Sequence, residues 1–360
     1  MDFSEDIFRY DEQAILRLRS LYKQFGYTQY RMSRFEEYAM YAENKAFLAS
    51  GDILAFTGAG GKLMALRPDV TLSIVKNTKD SDGQNKLYYN ENVYRHDGYE
   101  FKEQMQIGVE CIGEIDIYSM AEVLLLAKKS LEALGDSTCL DVSHMGYIRG
   151  LLKSEGLGQK QREQLLRRIS EKNLPELSAL CKEYGLDGVF RDKVAALAAL
   201  YGPYGEVVAD LRLISVNEET EEALNELEQL HTVLAKLGAE RKINLDFSIV
   251  NDLSYYSGII FQGYIEGIPT KALSGGRYDE LLRKFGKRSN AIGFAVYLNL
   301  LERLSQPHSG AEVDVLLLYG ENTSPEELAR TISSLTAAGQ SVRAQRGAPG
   351  EIRYKKLLDV

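Results

Sequence analysis

Polar side chains able to bind a small ligand are concentrated in four short segments of this 360-residue sequence, at 66–71, 94–113, 253–261 and 274–279. In the second segment, amide and carboxylate side chains alternate with apolar residues, so one face of a predicted strand is polar. Each segment also has a purely structural interpretation: a helix-capping turn, a solvated sheet face, strand aromatics and a hairpin turn, respectively. Each structural interpretation is adequate for its own segment, but the coincidence of all four in this order and spacing calls for a common explanation.

Hydrophobic periodicity indicates the elements that would position these segments. Helices are predicted at 11–25, 118–135, 218–237 and 291–304. Strands are predicted at 53–56, 63–66, 87–95, 105–111, 140–142, 244–250 and 255–265. Residues 147–240 are almost entirely helical in pattern, and a linker composition at 305–310 precedes a tail. The tail reads as strand 313–319, helix 324–338, strand 341–345 and a helical start at 350–360. These patterns predict a mainly antiparallel α+β core.

Composition excludes several classes of protein. The net charge of −9 argues against a broad tRNA-binding face, because phosphate contacts need concentrated basic side chains. The three cysteines and four histidines show no ligand spacing, so neither a metal site nor a disulfide framework is predicted. An acidic N-terminus and short apolar runs predict a cytoplasmic protein without a membrane partner.

Taken together, the four segments resemble histidyl-tRNA synthetase and its paralogues. Residues 66–71 are similar to that family's Leu-Arg-Pro-Glu-x-Thr segment. Residues 94–113 resemble its second class-defining motif, a strand, a loop and a returning strand that ends Gly-x-Glu-x-x-Gly. The two later segments resemble its histidine-specific segments, and 291–304 occupies the place of its third class motif.

The resemblance implies a class II aminoacyl-tRNA synthetase-like antiparallel sheet core with helices, a helical insert and a short C-terminal α/β piece. The core would comprise 1–146 and 241–305, and the mainly helical insert 147–240. Residues 311–360 would be a partial anticodon-binding-domain-like α/β segment, shorter than the complete domain.

The resemblance also implies a pocket for free histidine formed by six residues: Asp69, Thr71, Gln106, Glu110, Tyr256 and Tyr278. The first three would hold the α-amino group. Glu110 and Tyr256 would meet the two imidazole nitrogens, and Tyr278 would line the pocket. Asp69 is one methylene shorter than the family's glutamate, which changes its reach.

The positions that perform ATP chemistry in the family have changed. Arg95, the residual arginine of the second motif, remains, but Glu100 replaces a triphosphate-binding arginine in a shortened loop. Asn251 stands where the histidine-specific arginine would be. The Gly-Leu-Glu-Arg end of the third motif aligns with 297–300, and a Glu302-Arg303 pair follows about one helical turn later. Losing one preorganised charge partner costs roughly 100- to 1000-fold in rate, so no catalytic residues are predicted.

A histidine pocket without ATP chemistry matches one group of paralogues, the regulatory subunits of ATP phosphoribosyltransferase. The resemblance therefore implies a non-enzymatic subunit of a glycosyltransferase complex, needing no cofactor. It would act with the short-form ATP phosphoribosyltransferase catalytic subunit in the first step of histidine biosynthesis, with histidine as allosteric effector. A weak match to the first class motif at 26–36, with Ser33 in place of proline, implies a homodimer within a hetero-oligomer.

Two alternatives stay open. One is a divergent but active histidyl-tRNA synthetase, which Arg95 and the shifted Arg303 favour. The other is a synthetase-like binding module for another amino acid or an unrelated partner.

Overall fold

The computed structural model describes residues 8–48, 52–80, 83–96, 98–250, 255–303, 311–347 and 349–360, without the side chains of Ala46, Glu302 and Arg303. The chain divides into two compact units, Met1–Leu304 and Ser305–Val360. Within the described residues, no helix is long and apolar enough to span a membrane.

The first unit contains twelve described strands: β1 Thr28–Gln29, β2 Phe35–Glu37, β3 Ala55–Thr57, β4 Leu63–Leu66, β5 Asn85–His96, β6 Phe101–Gly113, β7 Thr138–His144, β8 Tyr201–Pro203, β9 Ile243–Asp246, β10 Ile259–Ile265, β11 Leu273–Arg277 and β12 Asn290–Tyr297. Nine of them form one mixed sheet in the order β1-β5-β6-β12-β11-β10-β7-β9-β8. Only the pairs β1–β5 and β7–β9 are parallel among its described neighbours. The other three strands form a small antiparallel sheet, β2-β4-β3. The predicted α+β, mainly antiparallel core is confirmed.

Eleven helices accompany these strands in the described part of the unit: α1 Tyr10–Gln24, α2 Tyr38–Glu43, α3 Val70–Asn77, α4 Ile117–Glu132, α5 Met145–Lys153, α6 Gln159–Ser170, α7 Leu174–Glu183, α8 Gly188–Ala199, α9 Tyr204–Ile214, α10 Glu218–Lys236 and α11 Asp279–Lys284. Helices α5 to α10 follow the predicted helical pattern. This region also supplies β8, an unpredicted strand that pairs with β9 at the edge of the sheet.

The two faces of the sheet have different coverings. Tyr88 belongs to a core that includes α1, α4 and the helices from α5 to α10. Tyr89 belongs to a second core formed with α3 and α11. Adjacent residues of a strand point to opposite faces, so the long helices cover one face and the short ones partly cover the other. The partly covered face is free to hold a ligand.

A buried arginine fastens the corner between β4 and α3. The Arg67 side chain is fully buried, and its Nη2 donates to Glu91 Oε2 at 2.9 Å and to the Asn92 carbonyl at 2.9 Å. Its Nη1 donates to the Ser33 carbonyl at 2.7 Å. These contacts lock the corner onto β5 and the chain before β2.

Helix α3 is held at its other end by the loop between α11 and β12. Lys287 Nζ donates to the carbonyls of Val75 and Thr78, satisfying acceptors that the end of a helix leaves free. Asp80 accepts from the backbone N–H of Arg288 at 3.0 Å and from the Ser289 hydroxyl at 2.6 Å. The loop and the helix end are therefore fixed to each other.

The prediction of a helix at 291–304 is wrong. Asn290–Tyr297 forms β12, between β6 and β11, and only Leu298–Arg303 is helical, as a 3₁₀ turn. A continuous apolar run carries no period that distinguishes a buried strand from a buried helix. In this chain the run fills the centre of the sheet.

Two strands are also shorter than predicted. β9 ends at Asp246, where the carboxylate accepts from Ser248 N at 2.9 Å and Ser248 Oγ at 2.6 Å and turns the chain. β10 begins at Ile259 rather than 255. The apolar residues beyond these strand ends belong to turns that pack against the rest of the unit: Phe247 and Ile249 after β9 are buried, and Tyr255 and Tyr256 before β10 are half-buried.

The second unit is a three-stranded parallel sheet with one helix in its described part. Its elements are β13 Val313–Tyr319, α12 Pro325–Ala337, β14 Val342–Arg346 and β15 Tyr354–Asp359, with strand order β14-β13-β15. The predicted helical start at 350–360 is wrong, because β15 pairs with β13 there. The lysines and leucines of this segment come in consecutive pairs, Lys355-Lys356 and Leu357-Leu358, and most of the strand is exposed.

Replacing Arg67 by methionine should destabilise the first unit by about 3–5 kcal/mol, since it leaves the largely buried Glu91 carboxylate without its charge partner. Lys62→Met is the matched control, because the Lys62 and Glu37 side chains are 71% and 59% exposed. Exposed pairs contribute about 0–1 kcal/mol. Urea unfolding followed by circular dichroism measures both changes, and equal losses in the two variants would contradict the anchoring role of Arg67.

Candidate functional site

The central strand β6 presents a polar face to the partly covered side of the sheet. Gln106 and Glu110 are only 3% and 2% exposed, and they lie on the same side as Gly108 because strand side chains alternate. Ile107 and Val109 point the other way into the main core. The alternation read from the sequence therefore produces buried polar groups rather than a solvated sheet face.

Asp69 and Thr71 reach the same place from the β4–α3 corner. Asp69 is the N-cap of α3 and accepts from Leu72 N at 3.0 Å. Its second oxygen accepts from Arg95 Nη2 at 3.1 Å, and Arg95 Nε donates to the Pro68 carbonyl at 2.9 Å. Burial raises the pKa of Asp69, opposed first by the charge of Arg95. The arginine is thus already paired within the site.

Glu110 is held by two hydroxyl groups. Thr71 Oγ1 donates to its Oε1 at 2.8 Å, and the Tyr278 hydroxyl donates to its Oε2. Burial raises the pKa of Glu110 to about 8, although both hydrogen bonds lower it. At neutral pH this burial favours the protonated form of Glu110.

Glycines occupy the strand positions directly beneath the site. A Cβ placed on Gly293 would lie 1.8 Å from Glu110 Oε2, and one on Gly276 would lie 2.7 Å from the Tyr256 ring. Gly108 and Gly275 meet backbone and ring atoms of the neighbouring strands in the same way, at 2.1 and 2.3 Å. Side chains on the site rest directly on the backbone of the sheet.

Aromatic rings form one wall. The centroids of Tyr255 and Tyr256 are 4.5 Å apart, those of Tyr255 and Phe47 are 5.7 Å apart, and Tyr278 is 6.3 Å from Tyr255. Tyr278 is 3% exposed. Such a wall suits a flat, partly apolar ligand group such as an aromatic ring.

These groups enclose a cavity of about 400 Å³. All six residues predicted to bind histidine line it, together with Arg95: Asp69, Thr71, Gln106, Glu110, Tyr256 and Tyr278. Their binding role stays a prediction. Four further lining residues were not identified from the sequence: Phe47, Leu48, Tyr89 and Lys271. Tyr297 entered the sequence analysis only as part of the third-motif alignment. The alternating pattern of β5 could have identified Tyr89 as a residue on the polar side of the sheet. Lys271 lies outside any motif.

A polar network ties the aromatic wall to the helices behind it. His144 is the N-cap of α5, accepting from Tyr147 N at 3.1 Å, and its Nε2 lies 3.0 Å from Glu226 Oε1 on α10. Glu226 Oε2 lies 3.4 Å from Arg277 Nη1, next to Tyr278 in the chain. The wall and the helical layer therefore share a chain of charged contacts.

The positions where the sequence departs from synthetase motifs are only partly described. Residues 251–254 and the side chains of Glu302 and Arg303 lie outside the described residues. Glu100 lies in the turn between β5 and β6, 3.5 Å from Lys102 Nζ. Asn299 accepts from Met105 N at 2.5 Å, so it fastens the end of β12 to β6. Within the described ranges, no three His, Cys, Asp or Glu side chains are positioned to hold a metal ion.

Comparison with known proteins places this geometry in a family. Residues 1–301 match the family model described as histidyl-tRNA synthetase. The chain belongs to the histidyl-tRNA synthetase family. That membership accounts for the class II synthetase-like sheet and its resemblance to the synthetase motifs.

Relatives within the histidyl-tRNA synthetase family are named for a different role. The ATP phosphoribosyltransferase regulatory subunit of Oceanobacillus iheyensis is 29% identical over 335 residues, covering 91% of this chain and 82% of the relative. A crystal structure of an ATP phosphoribosyltransferase regulatory subunit/histidyl-tRNA synthetase from Bacillus halodurans has a TM-score of 0.81 and 26% identity, covering 100% of this chain and 96% of that one.

A chain of the ATP phosphoribosyl transferase (HisG:HisZ) complex from Thermotoga maritima shares the fold, with a TM-score of 0.64. It is 19% identical to this chain, and the match covers 82% of this chain and 98% of that one.

The buried acid makes the stability of the first unit depend on pH. Because the pKa of Glu110 rises from 4.5 to about 8 on folding, the folded state keeps a proton that the unfolded chain loses. The resulting stability is complete below pH 4.5 and is lost as pH rises to about 8, at about 1.4 kcal/mol per pH unit. Glu110→Gln should remove this slope, as measured by urea unfolding between pH 5 and 8.

Tyr278→Phe is the control, and it should change the pH dependence of stability in the opposite direction. The Tyr278 hydrogen bond lowers the pKa of Glu110, so its removal should extend the loss of stability to higher pH. An unchanged slope in Glu110→Gln would contradict the assignment of the buried proton to this residue.

Proposed function

We propose that this chain is a non-catalytic regulatory subunit of ATP phosphoribosyltransferase that binds histidine as its effector. It acts with the short-form catalytic subunit in the first step of histidine biosynthesis. The names of curated relatives that are 25–29% identical over most of the chain support the regulatory role. The matched lengths support a comparison of the whole chains, since the relatives are covered over 75–82% of their lengths.

The cavity supports free histidine as the effector. An ammonium group needs acceptors, and an imidazole ring needs a partner at each nitrogen. In the proposed complex, Asp69, Thr71 and Gln106 hold the α-amino group, while Glu110 and Tyr256 meet the ring. A ligand that supplies an N–H or a positive charge stabilises the ionised form of the buried Glu110, whereas an apolar analogue supplies neither, so the site discriminates against apolar analogues.

The pairing of Arg95 with Asp69 is the observation that carries the non-catalytic assignment. Amino-acid activation develops charge on a phosphate, and fixed arginines stabilise that charge. Arg95 instead donates to Asp69 Oδ2 at 3.1 Å and to the Pro68 carbonyl at 2.9 Å. The site thus combines groups for amino-acid recognition with an arginine whose charge is already balanced.

A divergent, active histidyl-tRNA synthetase is the competing function, favoured by the family model and by the retention of Arg95. Histidine-dependent exchange of pyrophosphate into ATP separates the two. Exchange by the purified chain would overturn the non-catalytic assignment.

The direct test measures phosphoribosyl-ATP formation by a short-form catalytic subunit with and without this chain, over a range of histidine concentrations. The mixture should be active and inhibited by histidine. Glu110→Gln should raise the histidine concentration for half-inhibition about 10- to 100-fold, since a hydrogen bond to a charged group contributes about 1.5–3 kcal/mol. Activities are expressed relative to the same complex without histidine.

Glu103→Gln is the matched control for this experiment. Glu103 lies on the same strand but is exposed and contacts Tyr94 rather than the cavity. Its inhibition curve should match that of the wild-type chain. Absence of stimulation with a competent partner would contradict the regulatory role, and equal shifts in both variants would contradict the histidine site.

The small sheet supports a homodimer within the larger complex. Phe35 and Phe56 are 54% and 39% exposed, and their rings meet edge to face at 5.6 Å. Clustered exposed apolar side chains mark interaction surfaces. We place the contact between two copies of this chain there, close to the segment similar to the first class motif.

The double substitution Phe35→Glu and Phe56→Glu should therefore convert a dimer into monomers, because it would bury charge in the contact. Analytical ultracentrifugation of the chain over a range of concentrations measures this. Val189→Glu serves as the control, since Val189 is 66% exposed on α8, outside this sheet. An unchanged dimer in the double variant would rule out this surface.

A further inference from the structure

The charges lining the cavity are divided between two acids and two bases. Asp69 and Glu110 are the acidic side chains, and Arg95 and Lys271 are the cationic ones among the described lining residues. A free amino acid carries both signs, so its recognition needs at least one acceptor for the ammonium and one donor for the carboxylate. The acidic groups already have assigned ligand partners under the proposed function. The partner of the carboxylate has not been identified.

The two cationic side chains differ in their hydrogen-bond and ion-pair partners. Arg95 is committed to Asp69 and to the Pro68 carbonyl, as described above. Lys271 is exposed as a residue although it lines the cavity, and its side chain has no hydrogen-bond or ion-pair partner among the residues that the structure describes. Desolvation, and after it the nearby charge of Arg95, lowers the pKa of Lys271. An anion bound beside these two like charges would relieve their repulsion.

Strand register places Lys271 at the end of the cavity where other hydrogen-bonding groups converge. It lies just before β11, and the next residue, Ala272, accepts from Tyr297 N at 2.9 Å. Tyr297 pairs with Gln106 across β12 and β6, and its hydroxyl lies 2.5 Å from Ser274 Oγ. Lys271, Gln106, Ser274 and Tyr297 all line the cavity. Glu110 lies further along β6, opposite Gly293.

We propose that Lys271 binds the carboxylate of the amino-acid ligand, at the end of the cavity formed by Gln106, Ser274 and Tyr297. This inference rests on the proposed histidine site and adds the group that recognises the free acid. With the ammonium at Asp69 and the ring at Glu110, a lysine at this end completes recognition of all three polar parts of histidine. It makes the site selective for an acid over an amino alcohol of the same shape.

The test measures binding of L-histidine and of L-histidinol, in which CH₂OH replaces the carboxylate, to the full chain by isothermal titration calorimetry. Wild-type protein should bind histidine about 10- to 100-fold more tightly than histidinol, the range expected for a hydrogen bond to a charged group. Lys271→Met should weaken histidine binding by a similar factor and leave histidinol binding unchanged or tighter. Lys271→Arg should restore most of the preference.

Lys62→Met, a substitution of an exposed lysine outside the cavity, should behave as wild type. Histidine binding by Lys271→Met at wild-type affinity would overturn the inference while leaving the histidine site standing. Equal loss of both ligands would also overturn it, because the change would then not be specific to the carboxylate. No histidine binding by the wild-type chain would instead overturn the proposed function.

Discussion

Placing a carboxylate in the middle of a sheet is the constraint on which the site depends. Glu110 points from β6 across β12, and its Oε2 lies 1.8 Å from the position that a Cβ of residue 293 would occupy. Any side chain there would displace the acid, so glycine is required for reasons of space. The same reasoning applies to Gly276 beneath the Tyr256 ring. Close approach to backbone creates a cavity in a region where a sheet would otherwise carry a layer of side chains.

The buried side chain of Glu110 determines which interactions the groups around it must provide. Burial favours its protonated form, and hydroxyls from α3 and from the residue before α11 compensate part of that cost. A ligand that supplies an N–H or a positive charge completes the compensation. Under the proposed function, amino-acid recognition would depend on the centre of the sheet, whereas the positions at which the sequence departs from the synthetase motifs lie in the segments around it.

Much of this arrangement was accessible from sequence, and the failures have physical causes. The alternation of β6 predicted one polar face, and similarity to the synthetase segments brought together six residues that the structure places in one cavity. β12 was assigned to a helix because a fully buried strand has no period. Lys271 was missed because its position follows from strand register between β11 and β12, which no local pattern of the chain encodes.

The two fixed ends of α3 have a mechanical consequence. Asp69 is the N-cap at the start of α3 and lines the cavity. At the other end of α3, Lys287 donates to carbonyl groups from a loop that leads directly into β12. The backbone hydrogen bonds of a helix resist bending and stretching. A short helix that is held at both ends therefore moves as a rigid unit. The cavity wall is therefore a closed path that runs from β6 through β12, the loop before β12 and α3 to Thr71, whose hydroxyl donates back to Glu110 on β6. A displacement at one of these contacts must be taken up at another, so the position of Asp69 in the cavity depends partly on residues, such as Lys287, that do not line it.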